Sequence, residues 1–323
     1  MAGWLRWICL ALAWLLPPGA GLAQEVWPAR PVRVVVPFLA GGGGDAVGRA
    51  VSQALSERTG RAFVVDNRPG GASALGTELV ARAAPDGYTM VIVGPNHSTN
   101  PHLMPRLPFD PLRDFSPIAL LTSAPYVLVA DPGLALRGFQ DFIALARARP
   151  GALSYGSAGN GTAGHLAMEM IKLATGIDVV HVPYRGSPPV LVDVMAGRLA
   201  VGFDNVLSSS PGIRAGQMRA LAVSGAERSA LLPDVGTIAE QGMPGFDVTV
   251  WQAALFPAGV DPAITARASA EMAGVLATPE LRARLAAIGV APTPSTPAAL
   301  ADFIAADMAR WGEVVRRAGV RLD

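Results

Sequence analysis

Cysteine is almost absent from this sequence of 323 residues, which contains a single one, Cys9. Cys9 lies in an apolar N-terminal stretch that we expect to be removed, so the remaining chain would carry no thiol. A disulfide framework, a thiolate nucleophile and a cysteine-bound metal are therefore excluded. The residues before it, Arg6-Trp7-Ile8, lack the small side chain expected ahead of a lipid-modified cysteine, so we do not expect a lipoprotein.

Histidine and aromatic residues are also scarce, and the net charge is close to zero. The chain has four histidines, 6% aromatic residues and a formal net charge of +1. The histidines do not form a metal-binding helical pair, so we expect no metal site. A net charge near zero argues against a nucleic-acid-binding surface, and the sequence has no basic patch with interleaved aromatic residues. We therefore expect no nucleic-acid partner.

After the N-terminal stretch, no apolar run reaches the roughly 18 residues that a membrane helix needs. At the N-terminus, Arg6 precedes the apolar run Trp7–Leu16, and Gly21-Leu22-Ala23 supplies small residues. This pattern predicts a secretory signal peptide over residues 1–23, cleaved after Ala23. We therefore expect an exported, soluble protein.

What the chain does contain is an alternation of short apolar β-branched runs and helical patterns. Strands alternating with helices predict βαβ crossovers and mostly parallel sheets. About 300 residues suggest two domains. The β runs near Thr122–Pro125 and Val248–Trp251 are placed to connect them, which predicts one domain from residues 24–123 with 249–323 and another from residues 124–248. The polar stretch Gly94–Asn100 is predicted to be a loop.

Three loops share one design, because each follows a strand, contains glycine and opens a helix: Gly41–Asp45, Gly159–Thr162 and Gly186–Pro189. Ligands of open α/β sheets settle beyond the carboxyl ends of the strands. Bare backbone amides beside the positive end of a helix dipole favour an anion. Two such loops from opposite domains could close on a small anion. The alternative is that the glycines only permit tight turns.

The run Gly159–Gly164 also fits a dinucleotide-binding fingerprint. That motif needs an acidic residue at the end of the next strand, which here ends in His181-Val182-Pro183. We therefore expect no nucleotide cofactor.

Catalytic constellations are equally weak. Ser157 lacks the first glycine of a nucleophile elbow, and His165 and His181 fit structural positions. Asp45 and Asp204 could form a carboxylate pair across a cleft, but Asp45 fits better as the N-cap of its own helix. Asp204 either holds a loop or receives a ligand's ammonium group.

Taken together, these motifs resemble the periplasmic substrate-binding proteins of tripartite tricarboxylate transporters, the Bug family. The matching segments run through the whole chain after the signal peptide: Trp27-Pro28, Arg30–Arg33, Val36–Phe38, Ala40–Gly42 with Asp45, Asp66–Gly70, Ala84–Thr89, Gly159–Thr162 with His165-Leu166, His181–Gly186, Phe203–Asn205 and Pro257–Gly259. The family usually has threonine or serine where this chain has Gly44, and proline where it has Leu39.

The resemblance implies a type II periplasmic-binding-protein fold, with two α/β domains, two crossover segments and a ligand cleft between the domains. It implies a monomeric periplasmic receptor without enzymatic activity, which delivers a small carboxylate to membrane permease subunits. The alternatives are a sensor that signals to a histidine kinase and, more remotely, a secreted hydrolase. Carried onto this chain, the family's ligand-binding positions are Phe38, Ala40, Gly41, Gly42, Asp45, Ser157, Gly159, Asn160, Gly161, Thr162 and Asp204.

Overall fold

The fold is taken from a computed structural model, which describes residues 27–184 and 186–320. Cys9 and the predicted cleavage site after Ala23 lie outside these residues. The strands are β1 (Val32–Val36), β2 (Phe63–Asn67), β3 (Thr89–Val93), β4 (Phe115–Ala130), β5 (Ser154–Ser157), β6 (Val180–Pro183), β7 (Val201–Asn205), β8 (Arg219–Val223), β9 (Thr249–Pro257) and β10 (Ala291–Pro292). The helices are α1 (Gly43–Thr59), α2 (Ala74–Ala81), α3 (Asn96–Leu103), α4 (Phe139–Ala148), α5 (Ala163–Thr175), α6 (Ser187–Met195), α7 (Val206–Arg214), α8 (Pro262–Leu276), α9 (Pro279–Ala287) and α10 (Pro297–Ala318).

The strands form a sheet in the order β2-β1-β3-β9-β4-β7-β5-β6, with β8 and β10 also paired to β4. The outer pairings, β1 with β2 and β3 and β5 with β6 and β7, are parallel. The pairings of β4 and β9 with their neighbours are antiparallel. We call β1–β3 with the first part of β4 and with β9 the first lobe, and β5–β8 with the end of β4 the second lobe. This α/β architecture confirms the predicted fold class.

Strand β4 is the main connection between the lobes. Residues 115–125 pair with β9, and residues 126–130 pair with β7 and β8. The sequence predicts two separate strands here, Ile118–Thr122 and Tyr126–Val129, whereas the structure has one strand of 16 residues. The pairing with β9 shifts register twice, next to Pro117 and next to Leu121. Such irregularities let a strand carry proline without ending.

Each lobe has apolar cores of its own. In the first lobe, Val34, Val36, Met90 and Ile92 lie in a buried cluster with residues of α1 and α8. In the second, residues of α4 and α5 such as Phe139 pack against β5 and β7. Two smaller clusters complete the lobes, one including α2 and β3, the other α6 and the end of β4.

Helix α10 belongs to both lobes. Leu300 and Ile304 in its first half join a first-lobe cluster, whereas Trp311, Val314 and Val315 in its second half join the second-lobe core. It packs against α3 at a glycine: a Cβ on Gly312 would lie 2.7 Å from the ring of His102. The imidazole Nε2 of that histidine donates a hydrogen bond to the Met308 carbonyl at 2.8 Å.

Helix α3 corrects the prediction of a loop over Gly94–Asn100. It carries an internal proline, and its buried side chains include Ser98, Thr99 and Asn100. Amphipathic spacing is the usual sign of a helix. This helix buries polar side chains instead of apolar ones, so its sequence lacks the regular spacing of apolar residues. In the described part of the chain, no helix is both long and apolar enough to cross a membrane.

Candidate functional site

A cleft of about 670 Å³ lies between the lobes, beside β4 and β9. Its lining residues come from both lobes: Phe38, Gly41–Gly44, Ala46, Pro95, Asn96, Ala124, Tyr126, Ala158, Thr162–Gly164, Ser187, Pro188, Phe203–Asn205, Ser208, Val250, Gln252 and Ile288–Val290. Within this set, Asp204 and Tyr126 are the ionisable side chains. No lysine or arginine of the described residues lines the cleft.

Five helices begin at this cleft: α1, α3, α5, α6 and α7. Their first residues are among those that line it, such as Gly43, Asn96, Ala163 and Ser187. Each helix start carries partial positive charge from amides that the helix itself leaves unpaired. The helix starts therefore bring partial positive charge to the cleft without a described cationic side chain.

The glycine loop after β1 shows how these amides are arranged. Helix α1 is capped at Gly42, so Asp45 is its third residue and not its N-cap as predicted. Asp45 reaches back, and its Oδ2 accepts hydrogen bonds from the Gly41 amide at 2.8 Å and from Arg49 at 2.9 Å. In the described part of the chain, the amides of Gly43 and Gly44 have no protein acceptor.

Asp45 holds this loop as an anion. Burial on its own raises the pKa of Asp45, but hydrogen bonds from Arg49, the Gly41 amide and Asn67 outweigh it and hold the pKa below its ordinary value. The Asn67 side chain donates to Asp45 Oδ1 at 2.9 Å and to the Phe38 carbonyl at 3.2 Å. The buried carboxylate thus fixes the loop from behind and does not line the cleft.

A polar cluster lies behind the loop that opens α5. The rings of His165 and His181 stack with centroids 3.9 Å apart, and Tyr155 stacks on His181 at 4.8 Å. His165 Nδ1 accepts the Gly161 amide at 3.0 Å, and His181 Nε2 is hydrogen bonded to Ser157 Oγ at 2.7 Å. Burial lowers the pKa of both histidines to about 4. Both rings are therefore neutral near pH 7 and shape the loop.

The pair formed by Ser157 and His181 has the spacing of a nucleophile and its base. Ser157, however, is fully buried, its hydroxyl also contacts the Gly159 carbonyl at 3.0 Å, and it does not line the cleft. The hydroxyl has no open path to a bound molecule, so the arrangement fits a structural role.

Asp204, at the carboxyl end of β7, lines the cleft with only 4% of its surface exposed. Its Oδ1 accepts hydrogen bonds from Ser187 Oγ at 2.5 Å and from the Asn205 amide at 2.7 Å. Its Oδ2 is buried without a partner among the described residues. Burial raises the pKa of Asp204 to about 6, against these two hydrogen bonds.

Two further polar groups of the cleft have spare hydrogen-bonding capacity. Gln252 Oε1 accepts from Thr122 Oγ1 at 2.6 Å, while its amide nitrogen has no protein partner among the described residues. The Tyr126 hydroxyl likewise lacks one in that part of the chain. Burial, with a smaller contribution from the charges of Asp204 and Asp307, raises the pKa of Tyr126, so this hydroxyl is protonated and can donate.

The structure brings part of the predicted site together. Phe38, Gly41, Gly42, Thr162 and Asp204 line the cleft. The other predicted residues do not line it and instead support the loops behind it or lie beside them: Ala40, Asp45, Ser157, Gly159, Asn160 and Gly161.

Sequence reasoning missed several lining residues. Because the sequence predicts a loop where α3 lies, it does not identify Asn96 as a residue at a helix start that lines the cleft. Asn205 and Ser208 lie at the start of α7, and the sequence Asp204-Asn205 at a strand end was a usable signal for them. Tyr126, Gln252 and the segment 288–290 reach the cleft only through tertiary packing, which no local pattern records.

An α/β fold in which helix starts from two lobes meet at a cleft beside the crossover strands defines a binding protein of the periplasmic type. Among the described residues, no group of acidic, histidine or cysteine side chains is placed to hold a metal ion.

Comparison with known proteins identifies the family. Residues 47–320 match the model of the tripartite tricarboxylate transporter family receptor. Protein BugT of Bordetella pertussis is 35% identical over 308 residues, which cover 94% of each chain. R. palustris Rpa4515, solved with adipate, is 36% identical with a TM-score of 0.81, covering 92% of this chain and all of the other. MatC from Rhodopseudomonas palustris, solved with malate, is 30% identical with a TM-score of 0.76, covering 90% of this chain and all of the other. The chain belongs to the tripartite tricarboxylate transporter receptor family, as its motifs indicated.

Proposed function

We propose that this receptor captures a small carboxylate in the cleft and delivers it to the membrane permease subunits of a tripartite transporter. The observation that carries the proposal is the meeting of five helix starts in a cleft with no described cationic side chain. Such a site neutralises a carboxylate with oriented amides. The binding of adipate by Rpa4515 and of malate by MatC supports this ligand class.

The ligand's carboxylate would bind the glycine loop, at Gly41, Gly42 and the amides of Gly43 and Gly44. Thr162 and Asp204 would contact it or the rest of the ligand from the second lobe. Each charge-assisted hydrogen bond contributes about 1.5–3 kcal/mol. Three or four, less the costs of association and closure, give a dissociation constant on the order of micromolar.

A negative charge added to the cleft tests the electrostatics. Ser208 is the third residue of α7 and lines the cleft, and its amide is capped by Asn205 Oδ1 at 2.9 Å. Aspartate is well tolerated at such a position. We expect Ser208→Asp to weaken carboxylate binding about tenfold or more in calorimetry, through repulsion of roughly 1–4 kcal/mol.

The matched control is Ala299→Asp. Ala299 is the third residue of α10, is capped by Thr296 in the same way and lies outside the cleft. This variant should bind like the unmodified protein. Equal binding by both variants, or silence of the ligand-stripped protein across a broad panel of carboxylates, would contradict the proposal.

Domain closure is the proposed mechanism. Residues 24–123 with 249–323 would form one domain and residues 124–248 the other, and ligand contacts to both would favour a closed state. Small-angle scattering should show a smaller radius of gyration once a confirmed ligand is added. An unchanged radius at saturation would refute closure.

We further propose that the chain acts as a periplasmic monomer without enzymatic activity, after cleavage behind Ala23. Mass spectrometry of the exported protein would locate its first residue, and sedimentation would give its mass. The buried hydroxyl of Ser157 supports the absence of hydrolysis. Ser157→Ala should retain ligand binding, whereas a hydrolase would lose turnover with this change. Family membership favours transport over a sensory role.

A further inference from the structure

Asp204 presents an anomaly within the cleft. Its two carboxylate oxygens have different surroundings: the Ser187 hydroxyl and the Asn205 backbone and side-chain amides all donate to Oδ1. Oδ2 is buried and receives no hydrogen bond from the described residues. A buried acceptor left without a donor is unfavourable, and more so when it is charged.

The described residues around Asp204 supply neither a hydrogen-bond donor nor a cation to Oδ2. No lysine or arginine of the described residues lines the cleft, and the nearest ionisable neighbour of Asp204 there is the hydroxyl of Tyr126. Tyr126 faces Asn205 across the β4–β7 pairing, while Asp204 itself faces Val127. The tyrosine therefore lies on the next register position, and no hydrogen bond joins its hydroxyl to Oδ2 among the described residues.

We infer that Oδ2 of Asp204 accepts a hydrogen bond from the ligand, and that the ligand is a carboxylate bearing a hydroxyl or amino group rather than a simple dicarboxylate. This inference rests on the proposed function, which places the ligand's carboxylate at the glycine loop. A second carboxylate directed at Asp204 would bring two acceptors, both negatively charged, against each other. A hydroxyl or ammonium group supplies the missing donor.

The protonation state of Asp204 agrees with this selection. Burial raises the pKa of Asp204 to about 6. The carboxyl group is therefore ionised near pH 7.5 and can only accept hydrogen bonds. Sites built to pair with one polar group reject analogues that lack it or carry the wrong one.

The test compares ligands of equal length by calorimetry near pH 7.5 on ligand-stripped protein. The six-carbon set is ω-hydroxyhexanoate, ω-aminohexanoate, adipate and hexanoate, and a four-carbon set of the same end groups covers shorter ligands. In at least one set, an acid with a donor end group should bind about tenfold or more tightly than the dicarboxylate of the same length. Tighter binding of the dicarboxylate in both sets would overturn the inference. The comparison uses the unmodified protein, so it does not depend on whether a variant folds.

The variant Asp204→Asn then tests whether Asp204 causes the preference for the acid with a donor end group. Asparagine keeps an acceptor for Ser187 and turns a donor toward the cleft, so the preference for the donor-bearing acid should shrink or reverse. The control Asp178→Asn makes the same chemical change at an exposed position outside the cleft and should leave the preference intact. An unaltered preference in Asp204→Asn would show that Asp204 only holds its loop.

The two proposals fail in different ways. Binding of dicarboxylates without any effect of Asp204 refutes the inference and leaves the carboxylate receptor standing. If no member of either set binds and a broader carboxylate panel is also silent, both are refuted.

Discussion

The aromatic ring of Phe38 fills the space into which a side chain at Gly44 would project. A Cβ built on Gly44 would lie 2.8 Å from Phe38 Cε2 and 3.0 Å from Phe38 Cγ. The same ring also limits Gly94, where a Cβ would lie 3.3 Å from Phe38 Cζ. Glycine at position 44 is thus a packing requirement of this chain. The glycine loop offers a backbone amide and an aromatic edge at this point.

Gly44→Ser should therefore destabilise the protein. Overpacking against a ring typically costs about 1–3 kcal/mol, and we expect a loss of that size in chemical denaturation. Gly43→Ser is the control, because a Cβ there meets nothing within 4 Å. The double variant Phe38→Leu with Gly44→Ser should recover part of the loss. Equal stability of the two serine variants would contradict this account.

Asp204→Asn should stabilise the ligand-free protein at neutral pH. The pKa of Asp204 is raised by burial from 3.8 to about 6. A raised carboxyl pKa contributes stability that is complete below the unfolded value of 3.8 and is lost as pH rises through 6. The variant avoids this loss, so it should unfold with about 1–3 kcal/mol more free energy near pH 7.5.

This gain should shrink as the pH is lowered toward 4. Urea denaturation at a series of pH values measures it. A gain that stays constant across the series would mean that folding does not shift the pKa of Asp204.

The histidines should make the fold sensitive to mild acid. Burial lowers the pKa of His97, His165 and His181 from 6.5 to about 4. Since the unfolded chain binds these protons first, stability is complete above pH 6.5 and falls as the pH drops from 6.5 toward 4.

Replacing one of these histidines should flatten the pH dependence. Asp204 acts in the opposite direction over the same range, so the comparison uses the Asp204→Asn background. There, His181→Gln should show a shallower decline in the free energy of unfolding between pH 6.5 and 4 than the parent. Parallel curves would indicate that folding does not lower the pKa of His181.

Trp311→Ala should be strongly destabilising. The indole is 1% exposed and lies in the second-lobe core, although α10 begins on the first lobe. Truncating a buried tryptophan costs about 3–5 kcal/mol. Val192→Ala, at a side chain 50% exposed on α6, is the control and should change stability by less than about 0.5 kcal/mol. Thermal unfolding would separate the two, and a mild effect of Trp311→Ala would mean that the second lobe closes its core without α10.

The parts of the fold that could be predicted are those where local chemistry decides the structure. The β-branched run of β1 followed by glycines marks a strand, a loop and a helix start, and Gly60 ends α1 with φ +68°. The apolar spacing of residues 297–318 predicts a helix with these bounds, and α10 has the same bounds.

The failures arise where a partner distant in sequence decides. Asp45 was expected to cap α1, but the preceding glycines allow the helix to start three residues earlier, with its N-cap at Gly42, and the carboxylate turns back to Gly41. Helix α3 is held by side-chain hydrogen bonds to other segments, from Asn96 and Asn100 to the Ala72 carbonyl and from His97 to the Pro111 carbonyl. The site was predicted at the level of its loops, whereas the residues that reach the cleft from β4 and β9 depend on how the lobes are joined.

Helix α10 also sets an order of events in folding. Trp311, Val314 and Val315 complete a core otherwise formed by residues 103–248. A nascent chain that lacks these side chains exposes that core to solvent, whatever the state of the first lobe. Stable folding of the second lobe is therefore delayed until nearly the whole polypeptide is available.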